Sequence, residues 1–165
     1  LATGGYLIEE WQRLSVSVNG QHYPTAVSEI AIAEDQFKFG SRGEVMTDQG
    51  EFPFKGSGIL IGTGYGSTGW LRSASRYISP EIEPWERTKP RAHWVEREPY
   101  GEISYPHITN GALTPGEEML ITSSMNHNGM LSIDSITDVP FPRGSKAVIQ
   151  LAEVPIKVIR SANRP

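Results

Sequence analysis

Hydrophobic and polar residues alternate in several short stretches of the chain, and residues that favour turns separate these stretches. Alternation with a period of two predicts a strand with one buried face. In the first part of the chain, strands are predicted over residues 14–18, 26–33, 37–45 and 50–55. The Asn19-Gly20 pair that follows the first stretch is a strong hairpin signal, so the first two strands are expected to pair.

Two other parts of the chain support a fold made mainly of strands. The run Ile59-Leu60-Ile61 is wholly apolar, which is typical of a strand buried on both faces. In the last third, strands are predicted over residues 119–123, 130–133, 146–151 and 156–159. Short strands separated by turn signals at roughly ten-residue intervals indicate a sandwich or a barrel.

One segment has helical periodicity instead. An apolar stripe along a helix is predicted from Trp70, Leu71, Ala74, Tyr77 and Ile78. Ser67 or Thr68 is expected to cap this helix, and Ser79-Pro80 to end it.

A long surface connection is predicted after the helix, over residues 81–106, because prolines and charged residues interrupt every pattern there. Its aromatic residues indicate that it packs against the rest of the domain: Trp85, Trp94 and Tyr100.

Composition narrows the classes of function. The length and composition suit a single domain over residues 1–165. A formal net charge of -4 provides no general basic surface, and no apolar run has the ~20 residues of a membrane helix. We therefore expect neither a nucleic-acid nor a membrane partner. The chain has no cysteine, which excludes disulfides and Cys-based zinc sites, and a cytoplasmic location is expected.

The segment richest in candidate chemistry joins the apolar run to the predicted helix. Residues 62–70 read Gly-Thr-Gly-Tyr-Gly-Ser-Thr-Gly-Trp. Glycines let a ligand or another part of the backbone approach closely, and the N-terminus of a helix favours phosphate. The alternative is a glycine-rich turn between strand and helix that binds no ligand.

Two familiar phosphate-binding motifs do not account for this loop. Its glycines at 64, 66 and 69 have the spacing of the dinucleotide fingerprint, but a proline-broken stretch follows where a second parallel strand is needed. Gly64 and Gly69 also have the spacing of a Walker A loop. Trp70 and Leu71, however, occupy the positions of its Lys and Ser/Thr.

Residues 56–70 resemble the segment of the NAD kinases that reads Asp-Gly, an apolar strand, and then Thr-Gly-Ser-Thr-Ala-Tyr. Gly66-Ser67-Thr68 matches the core of that motif. Residues 26–29, Ala-Val-Ser-Glu, resemble the family's Ala-Leu-Asn-Glu, and residues 131–134, Leu-Ser-Ile-Asp, resemble its Ser-Ile-Asp-Gly strand. The order and spacing of these segments extend the likeness from about residue 13 to residue 160.

A divergent branch of that family, often labelled as sugar kinases, is similar in two further features. Its loop reads Gly-Thr-Gly-Ala-Thr-Gly-Trp, and it carries an Arg-Glu-Pro-aromatic segment that residues 97–100 match. The chain departs from the NAD kinase pattern at Ser28 for Asn, Ser57 for Asp and Trp70 for Tyr. An indole still offers a broad face for stacking.

The resemblance implies an all-β fold, a two-layer β-sandwich of many short strands with one short helix after the Gly-rich loop. It also implies that the chain is the substrate-binding, C-terminal half of a two-domain kinase for NAD or a related metabolite. A preceding α/β domain with a Gly-Gly-Asp-Gly motif would hold ATP and Mg²⁺. That motif does not occur in these residues, so no catalytic residue and no phosphoryl transfer are expected from this chain alone.

The resemblance and the loop together indicate a set of residues for binding a substrate such as NAD, or its product NADP. They are Ser28, Glu29, Ser57, Thr63, Gly64, Gly66, Ser67, Thr68, Gly69, Trp70 and Asp134. The partners implied are the N-terminal domain and further copies of the chain in a homo-oligomer.

Several other polar residues have competing interpretations. Glu29 is either a site residue or a salt-bridge partner at a strand end. The histidines lack metal-ligand spacing and are expected at the surface or in turns: His93, His107 and His127. Asp138 is expected in a turn. Arg72 and Arg76 share a helix face that either reaches phosphate or is solvated.

Two rival functions stay open at this point. A lipid kinase of the diacylglycerol type shares the two-domain plan, and a wide apolar cleft near Trp70 would favour it. Polar anchors around a closed pocket would favour a nucleotide. The chain is otherwise a ligand-sensing or assembly module without catalysis.

Overall fold

The computed structural model describes residues 5–100 and 108–161, in which fourteen strands and one α-helix form an antiparallel sandwich. In chain order the elements are β1 (Tyr6–Trp11), β2 (Leu14–Val18), β3 (Gln21–His22), β4 (Glu29–Glu34), β5 (Ser41–Thr47), β6 (Gly50–Gly56), β7 (Gly58–Gly62), α1 (Trp70–Ser75), β8 (Ala92–Arg97), β9 (Asn110–Leu113), β10 (Glu118–Ser123), β11 (Gly129–Ile133), β12 (Thr137–Pro140), β13 (Lys146–Leu151) and β14 (Ile156–Ser161).

Two six-stranded sheets form the layers of the sandwich. The spatial order is β3-β2-β13-β10-β5-β6 in the first sheet and β12-β11-β4-β7-β8-β9 in the second. The first and last strands, β1 and β14, pair with each other in a separate ribbon, from Tyr6 opposite Ser161 to Trp11 opposite Ile156. The predicted all-β sandwich with one short helix is confirmed.

The inner faces of the two sheets share one hydrophobic core. Val16, Ile121 and Ile149 of the first sheet are fully buried against residues such as Ile32 and Ile61 of the second. Burial of each such side chain contributes roughly 1.5–3 kcal/mol. The rings of Phe52 and Trp94 stack across the core at 5.5 Å between centroids.

A second, smaller core lies on the outer face of the second sheet. There Leu71 of α1 and Ile82 of the following loop cover Ala31, Leu60 and Val95. The three central strands β4, β7 and β8 are therefore buried on both faces, which explains the wholly apolar run in β7.

The predicted N-terminal hairpin is correct only in its turn. Asn19 and Gly20 have φ angles of 51° and 81°, as a tight hairpin turn requires, but β2 returns through the two-residue strand β3. Residues 26–33 do not form its partner strand as predicted: only Ala26 lies against β2, in an isolated bridge to Leu14. β4 begins at Glu29 and belongs to the opposite sheet, because the chain crosses between layers after Ala26.

Other boundaries also differ from the predictions. The strand predicted over residues 37–45 begins only at Ser41, and Phe37 is fully exposed in the preceding loop. Part of the predicted surface connection, residues 92–97, is the interior strand β8. The alternation there puts Trp94 in the main core and Val95 in the smaller one. The connection's continuation over residues 101–106 lies outside the described residues.

The helix is shorter and less buried than its apolar stripe predicted. α1 ends at Ser75, and its N-cap is Gly69, with no side-chain capping bond from Ser67 or Thr68. Leu71 is buried, whereas Trp70 and Tyr77 remain 38% and 89% exposed. Part of the stripe therefore faces solvent instead of a core. Among the described residues, no helix has the length and apolar character needed to span a bilayer.

Candidate functional site

Three strands of the second sheet bring most of the predicted site residues to one edge. β4 runs antiparallel to both of its neighbours, with Glu29 opposite Gly62 of β7 and Ile30 opposite Ile133 of β11. The start of β4 therefore lies beside the ends of β7 and β11. Ser28, Thr63 and Asp134 follow or precede these strands directly, so they come together in space.

Asp134 binds the backbone that leads into β4. Its carboxylate accepts hydrogen bonds from the backbone N–H groups of Val27 at 2.8 Å, Ser28 at 2.7 Å and Glu29 at 3.1 Å. Its own N–H donates to the Glu29 carbonyl at 2.9 Å. Asp134 has a φ of 52°, which turns its side chain back over the strand start. The residue thus stabilises the local backbone.

Glu29 and Ser28 are linked to each other at this edge. The Ser28 hydroxyl donates to the buried Glu29 carboxylate, which also accepts a hydrogen bond from the Ser135 hydroxyl at 3.4 Å. Among the described residues, Glu29 forms no ion pair, so the interpretation as a strand-end salt-bridge partner finds no support there.

Thr63 and Gly66 attach the Gly-rich loop to the same backbone. The buried Thr63 hydroxyl donates to the Val27 carbonyl at 2.5 Å, and the Thr63 N–H donates to the Ser28 carbonyl at 2.9 Å. A Cβ on Gly66 would lie 2.3 Å from that Ser28 carbonyl oxygen. The glycine is therefore required by the approach of the protein's own backbone.

Gly64 and Ser67 are engaged in the same way by the loop that follows α1. A Cβ on Gly64 would lie 2.4 Å from the Glu86 carbonyl oxygen. The buried Ser67 hydroxyl donates to the Gly64 carbonyl at 2.7 Å and accepts from the Trp85 N–H at 3.2 Å. Both residues are used by intramolecular packing.

Of the predicted site residues in the loop, Thr68, Gly69 and Trp70 are the accessible ones, and Tyr65 is exposed beside them. A Cβ on Gly69 would meet only the Gly66 carbonyl oxygen, at 3.7 Å, so internal packing does not require this glycine. The Thr68 hydroxyl donates to the Tyr65 carbonyl at 3.2 Å and is exposed. These three positions are the ones that a ligand can approach.

The Trp70 side chain lines a cleft of about 440 Å³. The other walls are mainly apolar and come from α1, the turn after it and the end of β8: Ser73, Ala74, Tyr77, Ile78, Arg97, Glu98 and Pro99. A volume of 300–1,000 Å³ is typical of small-molecule sites. The sequence-based interpretation placed Tyr77 in the apolar stripe of the helix and did not include Arg97 among the site residues. The Arg-Glu-Pro-aromatic segment at 97–100 was the available signal.

Ser57 approaches this cleft from the other end of β7. Gly58 lies opposite Arg97, and the Ser57 hydroxyl donates to the Glu98 carboxylate. The Arg97 guanidinium donates from Nη1 to the Ser57 carbonyl at 3.3 Å, and its Cζ lies 4.8 Å from the Trp70 ring centroid. The five residues of β7 separate Ser57 from Thr63, and six steps of extended chain span roughly 20 Å. The predicted residues therefore form two groups at opposite ends of β7.

A second cleft, of about 530 Å³, lies beside Gly64 and Thr68 and is closed by the β1–β14 ribbon. Arg160 and Glu9 form an ion pair there at 3.0 Å. The hydrogen bond from the Trp11 indole and the charge of Arg160 hold the pKa of Glu9 below its usual value, against a smaller opposing effect of burial. Arg87 lies over the rings of Trp11 and Tyr65, at 4.8 Å and 5.6 Å.

The remaining candidates have structural partners. Arg72 donates to the Ile82 carbonyl at 2.6 Å and pairs with Glu83 at 3.0 Å, while Arg76 is exposed. Asp138 lies in β12 opposite Ser132, so its predicted turn position is wrong.

The histidines named as candidates differ in their outcomes. His127 lies in an exposed turn, as predicted, and His107 lies outside the described residues. The prediction of a surface position is wrong for His93, because β8 is an interior strand and buries it. Burial and, less strongly, the charge of Arg91 lower its pKa to about 4. Within the described part of the chain, no group of His, Asp and Glu residues is arranged to hold a metal ion.

Comparison with known proteins gives a relationship of fold. No family model and no curated protein matches the sequence. Among solved structures, the crystal structure of an NAD kinase from Archaeoglobus fulgidus in complex with ATP superposes with a TM-score of 0.70 and 18% sequence identity. The fold is NAD kinase-like. The match covers 94% of this chain and 56% of the NAD kinase chain, so the chain spans little more than half the length of that enzyme.

Proposed function

We propose that this chain is the substrate-binding domain of a small-molecule phosphotransferase. The NAD kinase-like fold supports a kinase-type domain, and the Trp70 cleft supports a ligand with an aromatic ring system. The observation that carries the proposal is the indole of Trp70. It is 38% exposed at the end of the Gly-rich loop and lines a cleft of about 440 Å³.

The proposed ligand is NAD, NADP or a related nucleotide. Stacking on an exposed indole contributes about 1–3 kcal/mol per base. The polar residues that line the Trp70 cleft are Ser73, Arg97 and Glu98, whereas Thr68 lines the second cleft. Ser28, Glu29, Thr63 and Asp134 would act indirectly, by fixing the loop through the hydrogen bonds described above. ATP and Mg²⁺ are proposed as the phosphoryl donor and its metal ion, and no described residue is assigned to either.

A lipid kinase of the diacylglycerol type is the second candidate. The lining of the Trp70 cleft favours it, because Ala74, Tyr77, Ile78 and Pro99 accompany the indole. Two charged residues, Arg97 and Glu98, lie at one end of the same cleft. A nucleotide uses both features, whereas a neutral diacylglycerol uses only the apolar walls.

Thermal unfolding of the chain with NAD, NADP, ATP, dioctanoylglycerol or buffer tests these candidates. A ligand at 100 times its Kd stabilises the fold by about 2.7 kcal/mol, which raises the Tm of a domain of this size by roughly 5–10 °C. NAD or NADP is expected to produce this rise, and Trp70→Ala to abolish it. Phe37→Ala, which removes an exposed aromatic ring far along the chain, is the control and is expected to retain the rise.

The alternatives give different results in the same experiment. A rise with dioctanoylglycerol alone would replace the nucleotide by a lipid. Equal rises in wild type and Trp70→Ala would place the ligand outside the Trp70 cleft and contradict the proposal.

A further inference from the structure

Arg97 is a charged residue at the end of the Trp70 cleft, and the fold engages few of its hydrogen-bond donors. It is the last residue of β8, and its side chain lies on the outer face of the sheet beside the indole. Burial lowers the pKa of Arg97, and the neighbouring Glu98 carboxylate opposes this change. A guanidinium nevertheless remains charged at neutral pH.

The hydrogen-bonding capacity of this guanidinium exceeds what the described residues supply. An Arg side chain has five N–H donors. Within residues 5–100 and 108–161, its hydrogen bond is the one from Nη1 to the Ser57 carbonyl, and it forms no ion pair. Arg97 is only partly buried and lines the cleft, so its other N–H groups are accessible from the cleft. An anionic ligand group in the cleft would accept hydrogen bonds from them.

The adjacent carboxylate does not take this role. Glu98 has a φ of 46°, and its side chain accepts the hydrogen bond of the Ser57 hydroxyl. Glu98 is thus turned towards Ser57, while the Arg97 guanidinium lies over Trp70. The two consecutive charges have separate partners.

The walls around Arg97 determine what else the ligand must contain. Trp70 and Tyr77 present exposed rings, and Ala74, Ile78 and Pro99 add apolar surface. A fully solvated inorganic anion would gain nothing from these walls. A ligand with an apolar or aromatic part joined to an anion would use both.

We propose that the Trp70 cleft binds a phosphate-bearing ligand whose ring or apolar part packs on Trp70 and whose phosphate binds Arg97. The guanidinium fork matches two phosphate oxygens at once. This inference rests on the proposed function of the cleft and adds the residue that recognises the phosphate of the ligand. A nucleotide phosphate and a phospholipid headgroup share this chemistry.

Paired ligands that differ only in phosphate test the inference. Isothermal titration of the full chain compares AMP with adenosine and dihexanoyl phosphatidate with dihexanoylglycerol, at fixed ionic strength. In at least one pair, the phosphorylated member is expected to bind about tenfold tighter to wild type, and Arg97→Gln is expected to remove this advantage while the unphosphorylated member still binds. Arg76→Gln removes an exposed charge at the end of α1 without altering a residue that lines the cleft, and is expected to change nothing.

Arg97→Lys provides a second variant if Arg97→Gln does not fold, which its Tm reports. It keeps the charge and removes the fork, and is expected to lose most of the phosphate advantage. Equal affinities within both pairs, or an advantage that survives both substitutions, would overturn the role of Arg97 and leave ring binding at Trp70 intact. A phosphate advantage confined to the lipid pair would uphold Arg97 and reject the nucleotide. Failure of all four ligands to bind would reject both proposals.

Discussion

Asp134 stabilises the backbone at the edge of the site through its carboxylate. It accepts hydrogen bonds from three backbone N–H groups at the start of β4. In Asp134→Asn, the amide nitrogen cannot accept, so at least one of these N–H groups loses its bond. We expect the free energy of unfolding to fall by about 2 kcal/mol, measured by urea denaturation.

Asp138→Asn is the matched control for this measurement. Asp138 lies four residues further along, exposed on the edge strand β12, and the substitution is expected to change stability by less than about 0.5 kcal/mol. Equal effects of the two substitutions would show that the bonds of Asp134 do not stabilise the strand start. The motif at 131–134 indicated Asp134 as a ligand contact, but its backbone partners lie more than 100 residues away and are not visible in the sequence.

For the glycines of the loop, the sequence likewise indicates a close approach without showing which group approaches. Their number correctly indicated that some close approach occurs. For Gly64 and Gly66 the approaching group is the protein backbone, at Glu86 and Ser28. No group of the protein approaches Gly69 as closely. The local sequence cannot distinguish these cases, because the neighbours come from distant segments.

Among the elements, β8 is the one whose burial has a measurable consequence for pH dependence. Its residue His93 is buried with a pKa of about 4, against an ordinary value of 6.5. Between these pH values the unfolded chain binds a proton on His93 and the folded chain does not. The free energy of unfolding is therefore expected to fall as the pH decreases from 6.5 to 4, by up to about 3 kcal/mol from this residue.

The contribution of His93 is isolated by comparison of variants. The charge of Arg91 opposes protonation of His93, and the charge of Glu81 favours it. Both residues are therefore left unchanged in the variants. His93→Gln is expected to have a shallower decline in stability between pH 6.5 and pH 4 than wild type, in urea denaturation at a series of pH values. His22→Gln, at an exposed position in β3, is expected to keep the wild-type slope. Parallel curves for wild type and His93→Gln would contradict the assignment.

For the molecule as a whole, the β1–β14 ribbon is the part least supported by the common core. A two-stranded ribbon is only marginally stable by itself, and one face of this ribbon exposes Tyr6, Ile8 and Ile159. Its contact with the body includes the stacking of Trp11 on Tyr65 at 5.0 Å. We expect its backbone amides to exchange with deuterium at least about 100-fold faster than those of β4 and β7.

Hydrogen exchange at two protein concentrations checks this expectation. Fast exchange of the ribbon at both concentrations is the expected result for the isolated chain. Protection equal to that of β7 at low concentration would contradict it. Protection that appears only at high concentration would show that a second copy covers the ribbon and would support the homo-oligomer that the resemblance implies.

Local pattern alone determined that the fold consists mainly of strands, and it determined the tight turn at Asn19-Gly20 and the strand over residues 146–151. Each of these depends on side-chain alternation or on the conformations open to a few adjacent residues, which a sequence displays directly. The spacing of the Gly-rich, Ser-Glu and Ile-Asp segments also led to an NAD kinase-like fold, which the superposition confirms.

Only the tertiary structure decided which residues meet. The chain crosses between sheets after Ala26, a proline-flanked segment forms the interior strand β8, and α1 covers one face of the second sheet. These events joined Ser28, Thr63 and Asp134 at one end of β7, and Ser57, Trp70 and Arg97 near the other. Such contacts follow from the packing of whole sheets, in which long-range burial outweighs local preference, so no stretch of sequence contains them.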